Sequence, residues 1–341
     1  AKKRSYFKEK YDQAGLAEAV LAACRRLFGD AVLGADPLRV DGNHTAFRIR
    51  LPDRACFFRA DDGSGDDDYM RAESALMARA AAQGLPVPKV LHTDVSRAFS
   101  PFRFQIMELC PDPPLDRHHK AGTLDQPGIA RQLGRCLRQL HAISLEGFGF
   151  IDTDRLARDG TLRGLDTSYA DYFFKRFEDH LGYLLQHGLM SAADAAEVRR
   201  QFARHRPRLD RPQGVLVHRD MALWNVLGTP TRVTAIIDWD DAVSGDPADD
   251  LGMLRCFYPD AFLEALMDGY GPPPDAGFDC RVWMHTLRNL LWKTKLRHAL
   301  GYFEKDRAFF LNTPDVTGSL RAHTLALVQQ ALERVRSFAA P

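Results

Sequence analysis

The sequence predicts an α+β protein of two lobes, with a small N-terminal lobe built on an antiparallel sheet and a larger, mostly helical C-terminal lobe. Short strand-like segments separated by turn residues fill much of residues 1–110, whereas apolar residues at helical spacing dominate residues 111–341. Three prolines stand within residues 111–114, where they interrupt regular structure. We therefore place the boundary between the two lobes after residue 110.

Composition excludes several classes of protein. The 341 residues are 45% apolar, which is sufficient for a sizeable core, and 46 basic residues balance 45 acidic ones. We therefore expect neither a nucleic acid nor an anionic membrane surface as a partner. The six cysteines form no CxxC pair, and no apolar run approaches the roughly 20 residues of a membrane helix. We expect a cytoplasmic protein with reduced thiols.

The N-terminal lobe begins with a predicted helix over residues 14–28, which ends at Gly29. Three short strands follow within residues 39–60, with turns at Gly42-Asn43 and Pro52-Asp53. A second helix over residues 69–83 is stopped by Gly84, and two further strands lie within residues 88–94 and 102–110. This order predicts a small sheet accompanied by two helices.

Helical patterns dominate the C-terminal lobe. They cover residues 129–142, 169–187 and 192–205, and helices resume from Pro247 onward. Between them, residues 215–217 and 234–237 are apolar and strand-like. The lobe therefore contains a small strand-rich segment inside a helical frame.

Polar residues follow both of these strands. In VLVHRDMALWNVL, His218 and Asp220 come directly after the first strand, and Asn225 lies five residues beyond Asp220; Asp238 follows the second strand. This grouping suits phosphoryl transfer, in which positioning and charge neutralisation dominate catalysis. One acid would accept the proton of the attacking hydroxyl, while an amide and a second acid would hold Mg²⁺ through hard oxygen ligands. We interpret His218 as a hydrogen-bonding brace of the loop.

The segments HRDMALWN and IIDWDDAVSGDPADDL, residues 236–251, resemble the aminoglycoside phosphotransferase and choline kinase family, the small-molecule relatives of the protein kinases. The resemblance implies a two-lobed protein-kinase-like fold and the use of ATP and Mg²⁺. It makes Asp220 the catalytic acid and Asn225 and Asp238 the Mg²⁺ ligands. It also implies that Asp246 and Asp250 are structural carboxylates that brace the loops.

The same resemblance assigns nucleotide-binding residues in the N-terminal lobe. The family's cation on the third strand falls on Arg59 and its partner acid falls on Glu73, although an ordinary surface ion pair is the alternative interpretation. A turn with Asn43, His44 and Thr45 would lie over the phosphates. In the hinge strand, Met107 would lie behind the adenine, and the carbonyl of Glu108 and the N–H of Cys110 would form hydrogen bonds with the base.

Arg219 departs from the relatives that modify small molecules, which often have glycine between the histidine and the aspartate. Protein kinases have arginine there, but no activation-loop segment follows residues 237–241. The sequence therefore favours a small-molecule kinase over a protein kinase. It leaves Arg219 without a role.

The function is open to three interpretations, two of which differ in the acceptor. Eight acidic residues between Trp239 and Asp268 would attract a polyamine, which favours an aminoglycoside-type antibiotic. Six basic residues between Arg281 and Lys305 favour a neutral or anionic metabolite if they face the cleft, or are a solvated face if they do not. A housekeeping kinase for choline, ethanolamine, homoserine or a sugar is therefore the second hypothesis. A nucleotide-binding pseudokinase is the third.

Overall fold

A computed structural model describes residues 15–38, 45–61, 69–98, 100–305 and 318–341 of the chain. The predicted Gly42-Asn43 turn, and with it Asn43 and His44, lies outside the described residues. Within the described ranges, no helix is long and apolar enough to cross a membrane.

The N-terminal part forms one antiparallel sheet accompanied by two helices. The strands are β1 (Gly34–Leu38), β2 (Thr45–Arg50), β3 (Ala55–Ala60), β4 (Val90–Asp94) and β5 (Phe104–Glu108). Their spatial order is β1-β2-β3-β5-β4, and every neighbouring pair is antiparallel. Helix α1 (Leu16–Phe28) precedes the sheet and α2 (Tyr69–Ala82) lies between β3 and β4. The predicted small antiparallel sheet is confirmed.

Alternation along β3 and β5 gives the sheet two different faces. Phe58 and Phe104 stack at 5.0 Å in a hydrophobic cluster with residues of α1. Because successive side chains of a strand point to opposite faces, Arg59 and Met107 lie on the other face. Met107 packs there with the buried side chains of α2. The face that carries Arg59 is thus the one that looks toward the rest of the molecule.

Strand β1 differs from the sequence prediction. We expected the first strand within residues 39–51, but the structure places it earlier, at Gly34–Leu38. Its sequence, GADPL, contains three residue types that are depleted in strands. The strand is tolerated because β1 is an edge strand, where Pro37 need not donate to a second neighbour.

The C-terminal part is mostly helical, as predicted. Its helices are α3 (Leu115–Lys120), α4 (Gln126–Leu140), α5 (Thr153–Asp159), α6 (Tyr169–Phe174), α7 (Phe177–Gln186), α8 (Ala192–His205), α9 (Ala248–Arg255), α10 (Asp260–Tyr270), α11 (Phe278–Ala299) and α12 (Leu320–Ser337).

Two small sheets accompany these helices. Their strands are β6 (Ser144–Leu145), β7 (Phe148–Ile151), β8 (Gly164–Asp166), β9 (Gly214–Val217), β10 (Val226–Thr229), β11 (Arg232–Ile236) and β12 (Val243–Gly245). One sheet has the strand order β6-β9-β12-β7-β8, and the other pairs β10 with β11.

The helix that we expected over residues 169–187 is two helices, α6 and α7. The chain breaks at Arg176, whose φ of 65° is left-handed. The apolar pattern does not reveal this break, because Phe173, Phe174 and Phe177 all pack on Phe202 of α8. A continuous aromatic cluster on both sides of the break thus preserves the appearance of one amphipathic helix.

One large hydrophobic cluster joins the two parts of the molecule. It contains Leu76 and Met77 of α2 together with the cores of α4, α9 and α11. The hydroxyl of Tyr69, at the start of α2, also donates to the carbonyl of Ala242 at 2.5 Å. Helix α2 is therefore anchored to the helical part of the protein as well as to the sheet.

Candidate active site

The turn that follows β9 is fixed by a buried carboxylate. Arg219 has a φ of 66° in this turn. Asp250 in α9 accepts the N–H of His218 at 3.1 Å and the N–H of Arg219 at 2.6 Å. Its Oδ2 also lies 3.0 Å from Nε2 of His141. Because all of these hydrogen bonds end on one side chain, Asp250 holds the backbone that presents Asp220.

Asp246 is a second buried carboxylate with structural contacts. Its Oδ2 accepts from Nε of Arg281 in α11 at 2.5 Å, and its Oδ1 accepts the N–H of Ala248 at 3.0 Å. The side chain is fully buried. Asp246 therefore connects the start of α9 to α11.

His218 joins the two loops of the site. Its Nδ1 accepts the N–H of Asp220 at 3.3 Å, so the proton lies on Nε2, which donates to the carbonyl of Ile237 at 3.2 Å. The ring packs edge-on against Trp239, with 4.7 Å between centroids. Burial lowers the pKa of His218, which keeps the imidazole neutral and suited to this pair of hydrogen bonds.

Asp220 and Asn225 are in direct contact. Nδ2 of Asn225 donates to the carboxylate Oδ2 of Asp220 at 2.8 Å and to its backbone carbonyl at 2.9 Å. Nε1 of Trp224 lies 3.5 Å from the same Oδ2. Burial raises the pKa of Asp220 to about 6, while Lys293 acts in the opposite direction. The carboxylate is thus oriented by two donors and has a basicity suited to accepting a proton near neutrality.

Asp238 follows β11 in a left-handed conformation, with a φ of 65°. Burial raises the pKa of its carboxyl well above the ordinary range, and the neighbouring carboxylates Asp240, Glu73 and Asp220 act in the same direction. Arg59 acts in the opposite direction, and a further cation would favour the ionised form of this half-buried acid.

Asn225 and Asp238 carry oxygen atoms of the kind that a divalent cation such as Mg²⁺ prefers. Asn225 uses its Nδ2 on Asp220, and its Oδ1 makes no hydrogen bond with a described residue, so this oxygen is available as a hard ligand. No group of three or more His, Cys, Asp or Glu side chains in the described ranges has metal-binding geometry. Two protein ligands match Mg²⁺, which keeps several waters and binds with substrate phosphates.

Arg59 and Glu73 form a buried ion pair between β3 and α2. Nη2 of Arg59 donates to Oε2 of Glu73, and both side chains are less than a tenth exposed. Oε1 of Glu73 accepts the N–H of Trp239 at 3.3 Å, directly after Asp238. Burial alone would lower the pKa of Arg59, but Glu73 raises it overall. The alternative of an exposed surface pair does not hold. Among the residues that the structure describes, Nε of Arg59 has no hydrogen-bond partner.

The hinge residues Met107 and Glu108 end β5, and Cys110 follows it. Met107 is buried against α2, and the N–H of Glu108 donates to the carbonyl of Lys89 at 2.9 Å. Cys110 is half-buried, and burial raises the pKa of its thiol. Its N–H makes no hydrogen bond with a described residue, so this donor is available. Thr45 is buried at the start of β2, opposite Ala60.

The structure gives Arg219 a place that the sequence did not reveal. Its Nε lies 3.4 Å from Oδ2 of Asp249, and both side chains are buried or nearly so. His285 and Asn289 of α11 approach the same carboxylate at 3.2 Å and 3.1 Å. Burial would raise the pKa of Asp249, but His285, Arg219 and Arg288 hold it well below its ordinary range. The sequence signal that could have indicated this role is the pair of consecutive acids Asp249 and Asp250. Asp249 pairs with the side chain of Arg219, and Asp250 accepts its backbone N–H.

The acidic and basic segments are less exposed than their sequences indicated. Asp246, Asp249 and Asp250 are buried and bonded, so they do not form a rim. Arg281, Arg288 and Arg297 of α11 are engaged with protein groups and are not a solvated face. The segment does contain one buried lysine near Asp220, Lys293.

The two strands that lead into the site belong to different sheets. β9 pairs with β6 and β12, and β11 pairs with β10. Their loops meet through hydrogen bonds instead, including that from the N–H of Ile237 to the carbonyl of Asn225 at 2.9 Å. Asp220, Asn225 and Asp238 come together by this route.

Comparison with known proteins agrees with this geometry. A model of the phosphotransferase enzyme family matches residues 36–281. A thermostable mutant of aminoglycoside phosphotransferase APH(4)-Ia, solved with AMP-PNP and hygromycin B, superposes with a TM-score of 0.64 at 18% identity, covering 96% of this chain and 100% of its own. No curated protein sequence matches.

Two further structures show the same fold. A protein assigned as a fructosamine-3-kinase from Thermobifida fusca YX-ER1 has a TM-score of 0.61 at 21% identity, covering 92% of this chain and 99% of its own. The GDP complex of an aminoglycoside 2'-phosphotransferase-IIIa mutant has a TM-score of 0.59 at 15% identity, covering 94% and 95%. The chain belongs to the phosphotransferase enzyme family, and it is a small-molecule phosphotransferase with a protein-kinase-like fold.

Proposed function

We propose that this enzyme transfers the γ-phosphoryl group of ATP to a hydroxyl of a small molecule, with Asp220 as the catalytic base. The observation that carries the proposal is the hydrogen-bonded pair of Asp220 and Asn225, whose backbone carbonyl accepts the N–H of Ile237 next to the half-buried Asp238. The acceptor oxygen forms a bond to the γ-phosphorus while the bond from that phosphorus to the bridging oxygen breaks. ADP leaves with the electron pair, and the hydroxyl proton passes to the carboxylate of Asp220.

Asn225 and Asp238 would hold Mg²⁺. When bound, Mg²⁺ neutralises charge that develops on the phosphates. Two hydrogen bonds hold these residues in place. Nδ2 of Asn225 donates to the carboxylate of Asp220 and orients it, and the N–H of Trp239 donates to Glu73, which fixes the backbone next to Asp238.

The nucleotide would bind between residues 1–110 and residues 111–341, which we propose as the two lobes. The free Nε of Arg59 supports a contact with phosphate oxygens, and the free N–H of Cys110 supports a hydrogen bond to the base. The other proposed nucleotide contacts are Glu73, Asn43, His44, Thr45, Met107 and Glu108. ATP is the proposed donor because a structural neighbour binds AMP-PNP, and GTP is a necessary comparison because another binds GDP.

Two acceptor classes have support. An aminoglycoside-type antibiotic is supported by the neighbour that binds hygromycin B and by Asp240 and Asp241, two carboxylates that act on Asp220. A small metabolite is supported by the neighbour assigned as a fructosamine-3-kinase and by the lysine near Asp220. The family and the site favour an active enzyme over a pseudokinase, because Asp220, Asn225 and Asp238 are all brought together.

The test is transfer itself. We expect incubation with Mg-ATP and a panel of antibiotics and metabolites to give a phosphate adduct that mass spectrometry detects. Asp220→Asn should lower kcat by about 10²- to 10⁴-fold because the general base is lost, and nucleotide binding should persist. Glu178→Gln is the control, since Glu178 pairs with Arg199 on the exposed faces of α7 and α8. Full activity of the Asp220→Asn enzyme would contradict the mechanism.

A further inference from the structure

Helix α11 carries a buried lysine whose charge has no partner in contact. Lys293 is 9% exposed, and its Nζ lies 4.3 Å from the ring centroid of Phe257 and 5.0 Å from that of Trp292. Across the described ranges, its Nζ forms no hydrogen bond and has no carboxylate within 4.0 Å. Burying an ammonium group in this way is costly, so a role in binding would explain its presence.

The other basic residues of this helix are engaged differently. Arg281 binds Asp246 and Asp275, Arg288 donates to the carbonyl of Phe173, and Arg297 donates to Thr324. Lys295 lies over the ring of Tyr183. Lys293 and Lys295 thus both lie against aromatic rings, but of the two only Lys293 is buried. A cation on aromatic faces remains available to an anion.

Two aromatic rings connect Lys293 to the catalytic carboxylate. Phe257 meets Trp224 edge to face, with 4.8 Å between ring centroids and an interplanar angle of 88°. Nε1 of Trp224 then points to Oδ2 of Asp220 at 3.5 Å. Burial lowers the pKa of Lys293 and Asp220 acts against that shift, while Lys293 acts to lower the pKa of Asp220. Two aromatic rings thus separate the ammonium group from the carboxylate that is proposed to react.

Lys293 and the residues proposed to handle the phosphates reach the site from different elements. Glu73, which binds Arg59 of β3, lies in α2 and accepts the N–H of Trp239, directly after Asp238. Lys293 lies in α11 and is connected to Asp220 through Phe257 and Trp224. The contacts of Lys293 therefore belong to the helical part of the protein, where an acceptor that gives its hydroxyl proton to Asp220 can be bound apart from the nucleotide phosphates.

We propose that Lys293 binds an oxyanion of the acceptor, either a carboxylate or a phosphate ester, and that the substrate is a small hydroxylated acid. This inference rests on the proposed function of the same site and narrows its acceptor. It selects the small-metabolite class over a polycationic antibiotic, because a buried ammonium repels amines and attracts an oxyanion.

The test compares acceptors that share a carbon skeleton and differ in charge. Glucuronate, glucose 6-phosphate, glucose and glucosamine form one set; glycerate, glycerol 3-phosphate and glycerol form another; hygromycin B supplies the polycation. We expect phosphoryl transfer to the acceptors that carry a carboxylate or a phosphate. A preference for the carboxylates or for the phosphate esters then identifies which oxyanion binds. Lys293→Met should raise KM for these acceptors at least about tenfold, as expected for loss of a charged hydrogen bond, while KM for ATP changes less than about twofold.

Two variants separate binding from structure. Lys293→Arg keeps the charge and should retain a large part of the affinity, whereas Lys295→Met, two residues along the same helix, should leave every KM unchanged. The Tm of Lys293→Met should not fall, because the substitution removes an uncompensated buried charge.

The outcomes distinguish this inference from the proposed function. Transfer only to neutral or cationic acceptors, or ATP hydrolysis without transfer to any anionic member, overturns the role of Lys293 and leaves the phosphotransferase standing. An equal loss of kcat for every acceptor in Lys293→Met also overturns it, because the lysine would then act on the transferred phosphoryl group. A wild-type enzyme that neither binds nor hydrolyses Mg-ATP removes the proposed function and this inference with it.

Discussion

Arg219 and Asp249 form an ion pair at the turn that follows β9 and leads into Asp220, with 3.4 Å between Nε and Oδ2. The arginine occupies a left-handed conformation that an L-residue rarely adopts without compensation. Asp250, the next residue of α9, holds the same turn through the N–H groups of His218 and Arg219. Two consecutive acids thus fix both the backbone and the side chain of one residue next to Asp220.

Arg219→Met should destabilise the protein by about 1–3 kcal/mol. This is less than the full cost of breaking a buried pair, because His285 and Asn289 still approach the Asp249 carboxylate. Denaturant unfolding measures the change, and Asp249→Asn gives the complementary single variant. In the double variant the two losses should not add, since both remove the same interaction. Strict additivity would show that the ion pair contributes nothing.

The sequence was sufficient for the residues that act together in a short motif, and insufficient for those whose partner lies far away in the chain. Asp220 and Asn225 are five residues apart and meet directly, so their spacing carried the information. Lys293 stands more than 70 residues after Asp220 in the chain and is connected to the same carboxylate through the rings of Phe257 and Trp224. No local pattern reports such a contact.

Local patterns also explain which elements were predicted. The helix expected over residues 192–205 has those bounds in the structure, because Ser191 caps it and Asp194 stands in its first turn. β1 was missed because GADPL contradicts strand propensity, and only its edge position makes it acceptable. Tertiary context decided that element.

Glu73→Ala should weaken both ATP binding and turnover. The carboxylate holds Arg59 and also accepts the N–H of Trp239, so its loss frees the phosphate-binding cation and loosens the backbone beside Asp238. We expect kcat/KM for ATP to fall by about 10- to 100-fold, in line with losing two buried hydrogen bonds, one of them charged. Glu73→Gln keeps an oxygen for Trp239 but removes the charge. If the two variants behave alike, the contact with Trp239 has no part in the effect.

Gly134→Ala should destabilise the crossing of α4 and α10. A Cβ at Gly134 would overlap the carbonyl oxygen of Leu266, and one at Gly269 would overlap that of Arg131, so the helices touch at both glycines. Because the obstacle is backbone, we expect a loss of about 1–3 kcal/mol or more. Gly182→Ala in α7 is the matched control, since its Cβ would meet nothing within 4 Å. That variant should gain about 0.5–1 kcal/mol from helix propensity. Equal stability of both variants would exclude the close crossing.

His180 should make the protein less stable in acid. Burial, and then the cations Lys295, Arg288 and Arg176, lower the pKa of His180 from 6.5 to about 4. Between these two values the unfolded chain binds a proton that the folded protein does not, so stability falls as the pH falls, by at most about 1.4 kcal/mol per pH unit. Above pH 6.5 both states are neutral at this residue and the effect is absent. His180→Gln should therefore lose less stability than the wild type in denaturant unfolding between about pH 6.5 and about pH 4.5. Parallel curves for the two proteins would show that His180 titrates alike in the folded and unfolded states.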